Sequence, residues 1–340
     1  MGNWNILIRD SWFDGGQIPT PEPHYTSPDI ICTQETQVRD PQETFANNYN
    51  IDRSRQPIAN QNNYIYVRGK NCGRSSSGGK VYLFWFGSAL LVPPDHWKNN
   101  ALQADNNGEM KPYARFPSVP PQGVTVTPVP FVWTPNNGHY CFYSVVSTPE
   151  HPWSVNDIPS FDGWDEVVTW VRYHPNIGQR NVTLIENPNT PQWDSLDLLD
   201  NSFIEDLTVM VCAKCTNVPV GTTVTLKDTN LNIDHSEKTT KPNQTIYSRH
   251  VPLPSGYHGY VETLARLPSG VSRWPYGAGI TTTLHYGKSA DSEVARFAHD
   301  FGPDEAHPTV KEAKASVGRG GRPGVLIALG SCSTVYQPTD

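Results

Sequence analysis

No apolar run in this chain approaches the ~20 residues that a membrane-spanning helix needs, so the sequence predicts no insertion into a membrane. An excess of basic residues is also missing. Lysine and arginine total 26 against 33 aspartates and glutamates, which gives a net charge of −7. Without a broad cationic surface to neutralise phosphates, the chain is a poor candidate for binding nucleic acid.

Common catalytic motifs are absent as well. The 11 histidines include no His-Glu-x-x-His pair, and no Gly-x-Ser-x-Gly elbow occurs. We therefore predict that the protein is not an enzyme and that it uses no cofactor. A hydrolase assembled from scattered residues on a β scaffold is kept as an alternative.

The residues that are abundant favour short strands and turns. The chain has 31 prolines and 26 glycines against three methionines, and 11% of its residues are aromatic, including ten tryptophans. This composition suits β-strands better than long helices and can build compact cores despite a mean hydropathy of −0.52. The prediction is an all-β protein. Its 340 residues exceed the ~100–200 typical of one domain, which predicts two domains.

The clearest strand signals are two aromatic and β-branched runs, 64–68 and 81–86, which flank a Gly/Ser cluster. Further strands of the first domain are predicted at 5–8, 30–32, 124–129, 132–133 and 139–146. In the second domain we predict strands at 181–185, 203–211, 222–226, 245–250, 259–265, 280–286 and 325–329. Segment 291–324 is charged and rich in glycine, and is predicted to hold a short helix at 292–297 and a loop at 318–324.

One amphipathic helix is predicted between the two β regions. Trp164, Val167, Val168 and Val171 follow helical spacing, and Asp162 precedes them as a candidate N-cap. We expect these four apolar side chains to be buried together at or near the domain junction. The predicted domains are residues 1–155, a connecting helix at 156–175, and residues 176–340.

Several motifs of the first region resemble the bacterial CARDB-type immunoglobulin-like module over residues 27–147. The motifs are Ser27-Pro28-Asp29-Ile30, Tyr64-Ile65-Tyr66-Val67, Asn71-Cys72-Gly73, Val81-Tyr82-Leu83, Phe131-Val132-Trp133-Thr134-Pro135 and Gly138-His139-Tyr140. The resemblance implies an immunoglobulin-like β-sandwich, and such modules serve as adhesive, spacer and binding domains. We expect two β-sandwich domains of this kind, joined by the short helix.

The six cysteines are too sparse for a disulfide scaffold and are expected to be reduced. A Cys72–Cys141 disulfide is the alternative suggested by the Cys, Trp85, Tyr-Cys order of immunoglobulin domains. Cys212 and Cys215 have C-x-x-C spacing, which can bind zinc or cycle its redox state. Residues i and i+3 of a strand point to opposite faces, however, which favours two separate thiols.

Two acidic or amide-rich segments could hold a cation. Asp228, Asn230, Asn232 and Asp234 alternate as in the first half of a calcium loop, although Ile233 and Thr239 stand where glycine and glutamate are expected. The alternative is an Asx-rich hairpin turn. An acidic cluster is interpreted as a solvated loop; its members are Asp194, Asp197, Asp200, Glu205 and Asp206.

Four tryptophans lie outside the predicted strands, among proline, asparagine, aspartate and glycine: Trp97, Trp153, Trp193 and Trp274. Their rings could present a flat apolar face to a sugar or to a protein hot spot, or they could fold back and plug the ends of small sandwiches. They are the binding candidates of the sequence.

The predicted function is therefore non-enzymatic binding or assembly, with a protein partner or self-association. A lectin-like protein that binds carbohydrate through loop tryptophans is the alternative. The first residues, Met1 to Asp10, show no basic leader or cleavage site, which predicts a cytoplasmic protein. Combined with a surface-type module, this favours a component or cargo of a bacterial secreted or injected assembly, released by a signal-independent route.

Overall fold

A computed structural model describes residues 5–20, 26–87, 89–91, 94–106, 108–136, 139–183, 191–297 and 304–335. Strands dominate these residues and form four sheets, which confirms the all-β class. The strands in chain order are β1 (Ile6–Leu7), β2 (Ile30–Cys32), β3 (Asn63–Asn71), β4 (Ser77–Gly87), β5 (Ala89–Leu91), β6 (Gln103–Asp105), β7 (Met110–Lys111), β8 (Ala114–Val119), β9 (Val124–Val126), β10 (Phe131–Trp133), β11 (His139–Ser147), β12 (Ile177–Thr183), β13 (Gln192–Asn201), β14 (Leu207–Thr216), β15 (Thr223–Asp228), β16 (Ile233–Lys238), β17 (Gln244–Tyr247), β18 (Val251–Leu253), β19 (Tyr257–Arg266), β20 (Gly279–Lys288) and β21 (Val325–Val335).

Helices are short. The described residues include two α-helices, α1 (Trp164–Arg172) and α2 (Pro308–Ser316). Single turns of other helix types occur at Gln42–Ala46, Pro94–Asn99, Val155–Asp157 and Glu293–Phe297. The last of these matches the short helix expected at 292–297.

The chain divides into two compact units. The first contains Met1–Phe86, Pro93–Phe161 and Glu166–Val182, and the second contains Gly87–Val92, Asp162–Asp165 and Thr183–Asp340. The sequence-based boundaries after residues 155 and 175 stay predictions.

The first unit contains a seven-stranded and a four-stranded sheet. In the larger sheet β3 pairs with β1, β2, β9 and β10, and β10 continues to β6 and β7. The smaller sheet has the order β12-β11-β4-β8. One of its faces carries an aromatic layer that includes Phe84 from β4, Trp97 from the turn at Pro94–Asn99 and Tyr143 from β11. Because large rings supply much buried apolar area, this layer anchors the loops that cross the sheet.

A charged network is buried in the same unit. Asp29 is fully buried and accepts hydrogen bonds from Arg9 Nη2 at 2.6 Å and from Arg68 Nε at 2.9 Å. Arg68 also donates to the carbonyl of Phe45. Each charge therefore has partners, which a buried ion pair needs in order to be tolerated.

The second unit contains two five-stranded sheets. One has the order β16-β15-β19-β13-β5, and the other has β17-β14-β20-β21 with β18 also paired to β14. Pairing is antiparallel except between β13 and β5, which are parallel. Helix α2 packs Val310 and Ala313 against Met210, Cys212 and Leu326.

Helix α1 has the predicted apolar face. Trp164, Val167, Val168 and Val171 are all buried, with exposures between 3% and 6%. The helix begins at Trp164, two residues after Asp162, and the N-cap role of Asp162 stays a prediction. The Trp164 amide donates to Oε1 of Glu205 at 3.3 Å, so an acid from elsewhere in the sequence satisfies one amide of the first helical turn.

The largest error of the sequence prediction concerns the acidic cluster. Asp194, Asp197 and Asp200 belong to β13, not to a solvated loop, and Asp197 is fully buried. The strand predicted at 203–211 begins only at Leu207, and the one predicted at 245–250 is divided into β17 and β18. Within 291–324 the prediction missed α2, and of the strand expected at 181–185 the last two residues lie outside the described part of the chain.

Candidate functional site

A groove with a cavity volume of about 720 Å³ lies on the four-stranded sheet of the first unit. The start of β4, strand β8 and the segment that follows β11, up to Ser154, form its walls. We call it the Trp153 groove, after the sequence-predicted candidate that lines it. The volume is within the ~300–1,000 Å³ range of ligand sites.

Aromatic rings form one side of the Trp153 groove. Trp153 is half-buried, and its ring meets Tyr82 edge to face at a centroid distance of 5.4 Å and Phe84 at 6.1 Å. Tyr113, which is not part of the groove wall, lies 6.0 Å from Tyr82. The backbone N–H of Trp153 donates to Oγ of Ser147 at 2.8 Å, which holds the loop against the end of β11.

Polar and charged side chains form the rest of the lining. Lys80 and Arg115 carry positive charge, Glu150 carries negative charge, and several serines supply hydroxyls. Ser77 is 3% exposed, and its hydroxyl has no hydrogen-bond partner among the described residues. An apolar ring beside such groups can bind a ligand that is flat on one side and polar at its edges.

Glycine is required where β4 enters the groove. A Cβ on Gly79 would lie 2.2 Å from the carbonyl oxygen of Ser147, and one on Gly78 would lie 2.7 Å from that of Phe116. The β4–β8 register also shifts between Ser77 and Gly79. A side chain at either glycine would force the strands apart, so the Gly-Gly pair shapes this end of the groove.

The other three tryptophan candidates are interior. Trp97 and Trp193 are 1% exposed and Trp274 is 4% exposed. Trp97 stacks on Tyr143 with ring centroids 3.9 Å apart, and Trp193 belongs to β13 instead of a loop. These rings could meet a partner only after local opening. Of the four candidates, Trp153 is the one that lines the groove.

The sequence interpretation missed an exposed aromatic pair, Trp12 and Phe13, which are 43% and 65% exposed. They lie on a turn closed by two hydrogen bonds, from the Phe13 amide to Ser11 Oγ and from the Gly16 amide to Asp14 Oδ1. The signal was present in Asp14-Gly15-Gly16, a turn sequence that directly follows two aromatic residues.

The buried charge network contacts this turn through Arg9. The Arg9 guanidinium carbon lies 5.0 Å from the Trp12 ring centroid and 3.6 Å from that of Tyr49. Arg9 is itself fixed by two hydrogen bonds to Asp29. Burial raises the pKa of Tyr49, so that phenol stays neutral next to the two arginines.

The calcium candidates form a hairpin turn between β15 and β16. Asp228 Oδ1 accepts the amides of Asn230 and Leu231, and its Oδ2 accepts the Tyr257 hydroxyl at 2.6 Å. Asn232 has a φ of 54°, a left-handed conformation that asparagine tolerates well. These contacts are those of the Asx-rich turn. Throughout the described residues, no group of three or more His, Cys, Asp or Glu side chains is placed to share a metal ion.

The C-x-x-C thiols belong to different surroundings. Cys212 packs with Met210 and Tyr247 beneath α2, whereas Cys215, three residues further along β14, is not part of that cluster. Burial raises the pKa of Cys215 to about 12, with Glu237 adding to the effect. For the alternative disulfide, Cys72 is exposed while Cys141 is buried and its thiol donates to Asn181 at 2.8 Å, and the two are not joined.

Comparisons with known proteins place the chain in no family. No family model matches it, and no curated protein matches it. Among solved structures, a transglutaminase from red sea bream aligns with 68% of this chain and 28% of its own chain, at 8% identity and a TM-score of 0.19. A vicilin from tomato aligns with 98% of this chain and 99% of its own, at 6% identity and a TM-score of 0.12. These TM-scores are too low to establish a shared fold, and neither fold nor function is argued from them.

The helices of the described residues are short, nine residues or fewer. None is long and apolar enough to cross a bilayer.

Proposed function

We propose that this chain is a non-enzymatic binding or assembly protein that engages a protein partner, or a second copy of itself, through the Trp12–Phe13 turn. The observation that carries the proposal is two adjacent aromatic side chains exposed on a hydrogen-bonded turn. Exposed aromatic residues are enriched at the centres of protein interfaces, where a few of them supply most of the binding energy.

Preorganisation supports the same proposal. Ordering a loop on binding opposes association, and the Arg9–Asp29 contacts together with the turn hydrogen bonds keep Trp12 and Phe13 in place beforehand. The buried Arg9 guanidinium, 5.0 Å from the Trp12 ring centroid, also gives Trp12 a fixed orientation. The turn therefore has the properties of a rigid aromatic anchor.

For the fold at finer detail, we propose two immunoglobulin-like β-sandwiches, the first of CARDB type. Two sheets in each unit support this, as do strands over the motif segments 64–67, 81–83 and 131–133. From the same resemblance we propose that the chain is a component or cargo of a bacterial secreted or injected assembly.

The test is association measured with single alanine variants. Self-association is followed by sedimentation velocity, and partner binding by cross-linking and mass spectrometry in an extract of the source cell. Trp12→Ala or Phe13→Ala should weaken the interaction by about 2 kcal/mol or more, roughly 30-fold, with an unchanged melting temperature. Tyr276→Ala, which removes an aromatic ring that is 72% exposed in the second unit, is the control. If all three variants associate equally well, the Trp12–Phe13 turn is not the binding surface.

A second candidate function, carbohydrate binding, is favoured by the Trp153 groove. An aromatic ring flanked by hydroxyls and charged groups is a common sugar-binding arrangement, in which the ring stacks on the apolar face of the sugar. A glycan array followed by tryptophan-fluorescence titration tests it. Trp153→Ala should abolish a saturable signal that Trp12→Ala retains, whereas binding without loss in Trp153→Ala would place the sugar elsewhere.

A further inference from the structure

Two positive charges lie side by side in the wall of the Trp153 groove. Lys80 on β4 and Arg115 on β8 are direct cross-strand partners in the antiparallel register. Both side chains are exposed and both line the groove. Like charges at directly opposite positions destabilise a sheet, so this pair has a cost in the free protein.

The two cations also converge on one ring. Lys80 Nζ lies 4.9 Å from the centroid of Tyr113, and the Arg115 guanidinium carbon lies 5.8 Å from it. Tyr113 in turn is 6.0 Å from Tyr82, which meets Trp153. The positive charges are thereby held at one end of a continuous aromatic surface.

Their charge is not balanced within the described part of the chain. None of the ion pairs among the described residues includes Lys80 or Arg115. Glu150 lines the groove and is the acid of its wall. An anion bound between Lys80 and Arg115 would convert the repulsion into two favourable contacts, because the arginine fork and the lysine ammonium both donate to oxyanions.

We propose that the Trp153 groove binds an acidic carbohydrate, with the anionic group between Lys80 and Arg115 and a sugar ring against Trp153 and Tyr82. This inference rests on carbohydrate binding by the groove, the second candidate function. The anion is a carboxylate or a sulfate, and the ligands below distinguish the two.

The experiment compares matched ligands. Tryptophan fluorescence or calorimetry follows titration with oligogalacturonate, with its neutral methyl ester, and with a sulfated chondroitin tetrasaccharide. We expect at least a tenfold preference for one of the acidic sugars over the methyl ester, decreasing as salt rises from about 50 to 300 mM. Because the chondroitin fragment carries carboxylates as well, it is also compared with its unsulfated form: a sulfate site prefers the sulfated fragment, and a carboxylate site binds both forms and oligogalacturonate with similar affinity.

Variants distinguish the contribution of the two positive charges from that of the aromatic wall of the groove. Lys80→Gln and Arg115→Gln should each remove most of the preference for the acidic ligand, while Lys111→Gln, a lysine that does not line the groove, should leave it unchanged. Trp153→Ala should abolish binding of all sugars. In the absence of ligand, Lys80→Gln should also raise the melting temperature, because it removes the cross-strand repulsion.

Failure of the preference for acidic sugars and failure of carbohydrate binding give different results. Equal affinity for the acid and its methyl ester, lost together in Trp153→Ala, would overturn the acidic preference and keep carbohydrate binding. Binding of no sugar, together with a lower melting temperature of Lys80→Gln, would overturn both and give the pair a structural role. Capture of an acidic peptide in place of any sugar would also overturn the inference.

Discussion

Cys212 Sγ and His285 Nδ1 lie 3.5 Å apart on the adjacent strands β14 and β20, and the two residues are only 3% and 4% exposed. Burial lowers the pKa of His285 to about 4 and raises the pKa of Cys212. Both groups are therefore neutral at pH 7. A nucleophilic cysteine needs the opposite balance, a thiolate stabilised by a nearby positive charge, so the pair has the properties of a core contact.

The neutral state of His285 predicts acid-sensitive stability. Its pKa is lower in the folded protein, about 4, than in the unfolded chain, about 6.5, so the folded state binds fewer protons between these values. The stability that the folded protein gains by keeping His285 neutral is fully present above about pH 6.5. It is lost as the pH falls from there through about 4. We expect a loss of about 3 kcal/mol in the free energy of unfolding over this range.

Urea unfolding between pH 7.5 and pH 4 measures this loss. His285→Gln should flatten the pH dependence, even if the variant is less stable at neutral pH. His258→Gln, whose side chain is 63% exposed, should retain the slope of the original protein. An unchanged slope in His285→Gln would show that another group titrates.

A second prediction concerns Asp29, the fully buried acid between Arg9 and Arg68. Asp29→Asn keeps the shape but leaves two buried guanidinium groups without their counter-charge, which should cost about 3–5 kcal/mol in urea unfolding. Asp52→Asn, in the more exposed pair with Arg180, should cost about 1 kcal/mol or less. Similar costs for both variants would mean that the network does not need the charge of Asp29.

The thiols give a third prediction. In alkylation of the native protein, exposed Cys72 should react first, whereas buried Cys32, Cys212 and Cys215 should react only after unfolding. Burial raises the pKa of Cys32 to about 11, which further slows its reaction. Mass spectrometry should find no disulfide, and chelators should leave the melting temperature unchanged. Stoichiometric zinc bound to Cys212 and Cys215 would contradict this reading.

Strand β13 shows why part of the fold was not predictable from local patterns. Its buried positions include Ser195 and Asp197, while Leu196 on the opposite face is 58% exposed. Apolar periodicity assumes that leucine faces the core, and here the alternation is reversed. The buried carboxylate is tolerated because it is hydrogen-bonded, for example by the Ser195 hydroxyl at 3.1 Å.

Strands that hold dense runs of aromatic and β-branched residues were located well. β2 matches the prediction at 30–32, and β3 and β4 contain the predicted segments 64–68 and 81–86. Helix α2 could have been found, since Pro308 is at its first position, a common start signal. The parallel pairing of β5 with β13 depends on residues far apart in sequence, which no local pattern encodes.

The candidate sites also divide into residues that local sequence indicates and residues that only the tertiary structure brings together. Trp153 was a candidate because a tryptophan among prolines and serines is visible in sequence, whereas the burial of the candidates Trp97 and Trp193 depends on tertiary packing. The pairing of Lys80 with Arg115 is a property of strand register, so neither residue was a candidate beforehand.

The last prediction tests the apolar face of α1. Val168 is 4% exposed on a nine-residue helix, and Val168→Asp would bury a charge that has no partner. The expected loss in the free energy of unfolding is on the order of 3 kcal/mol, measured in urea. Thr169→Asp adds the same charge at the next position, which is only half-buried, and should cost much less. If both variants lose the same stability, the effect comes from charge on the helix and not from burial. If neither loses stability, the apolar face of α1 does not support the fold.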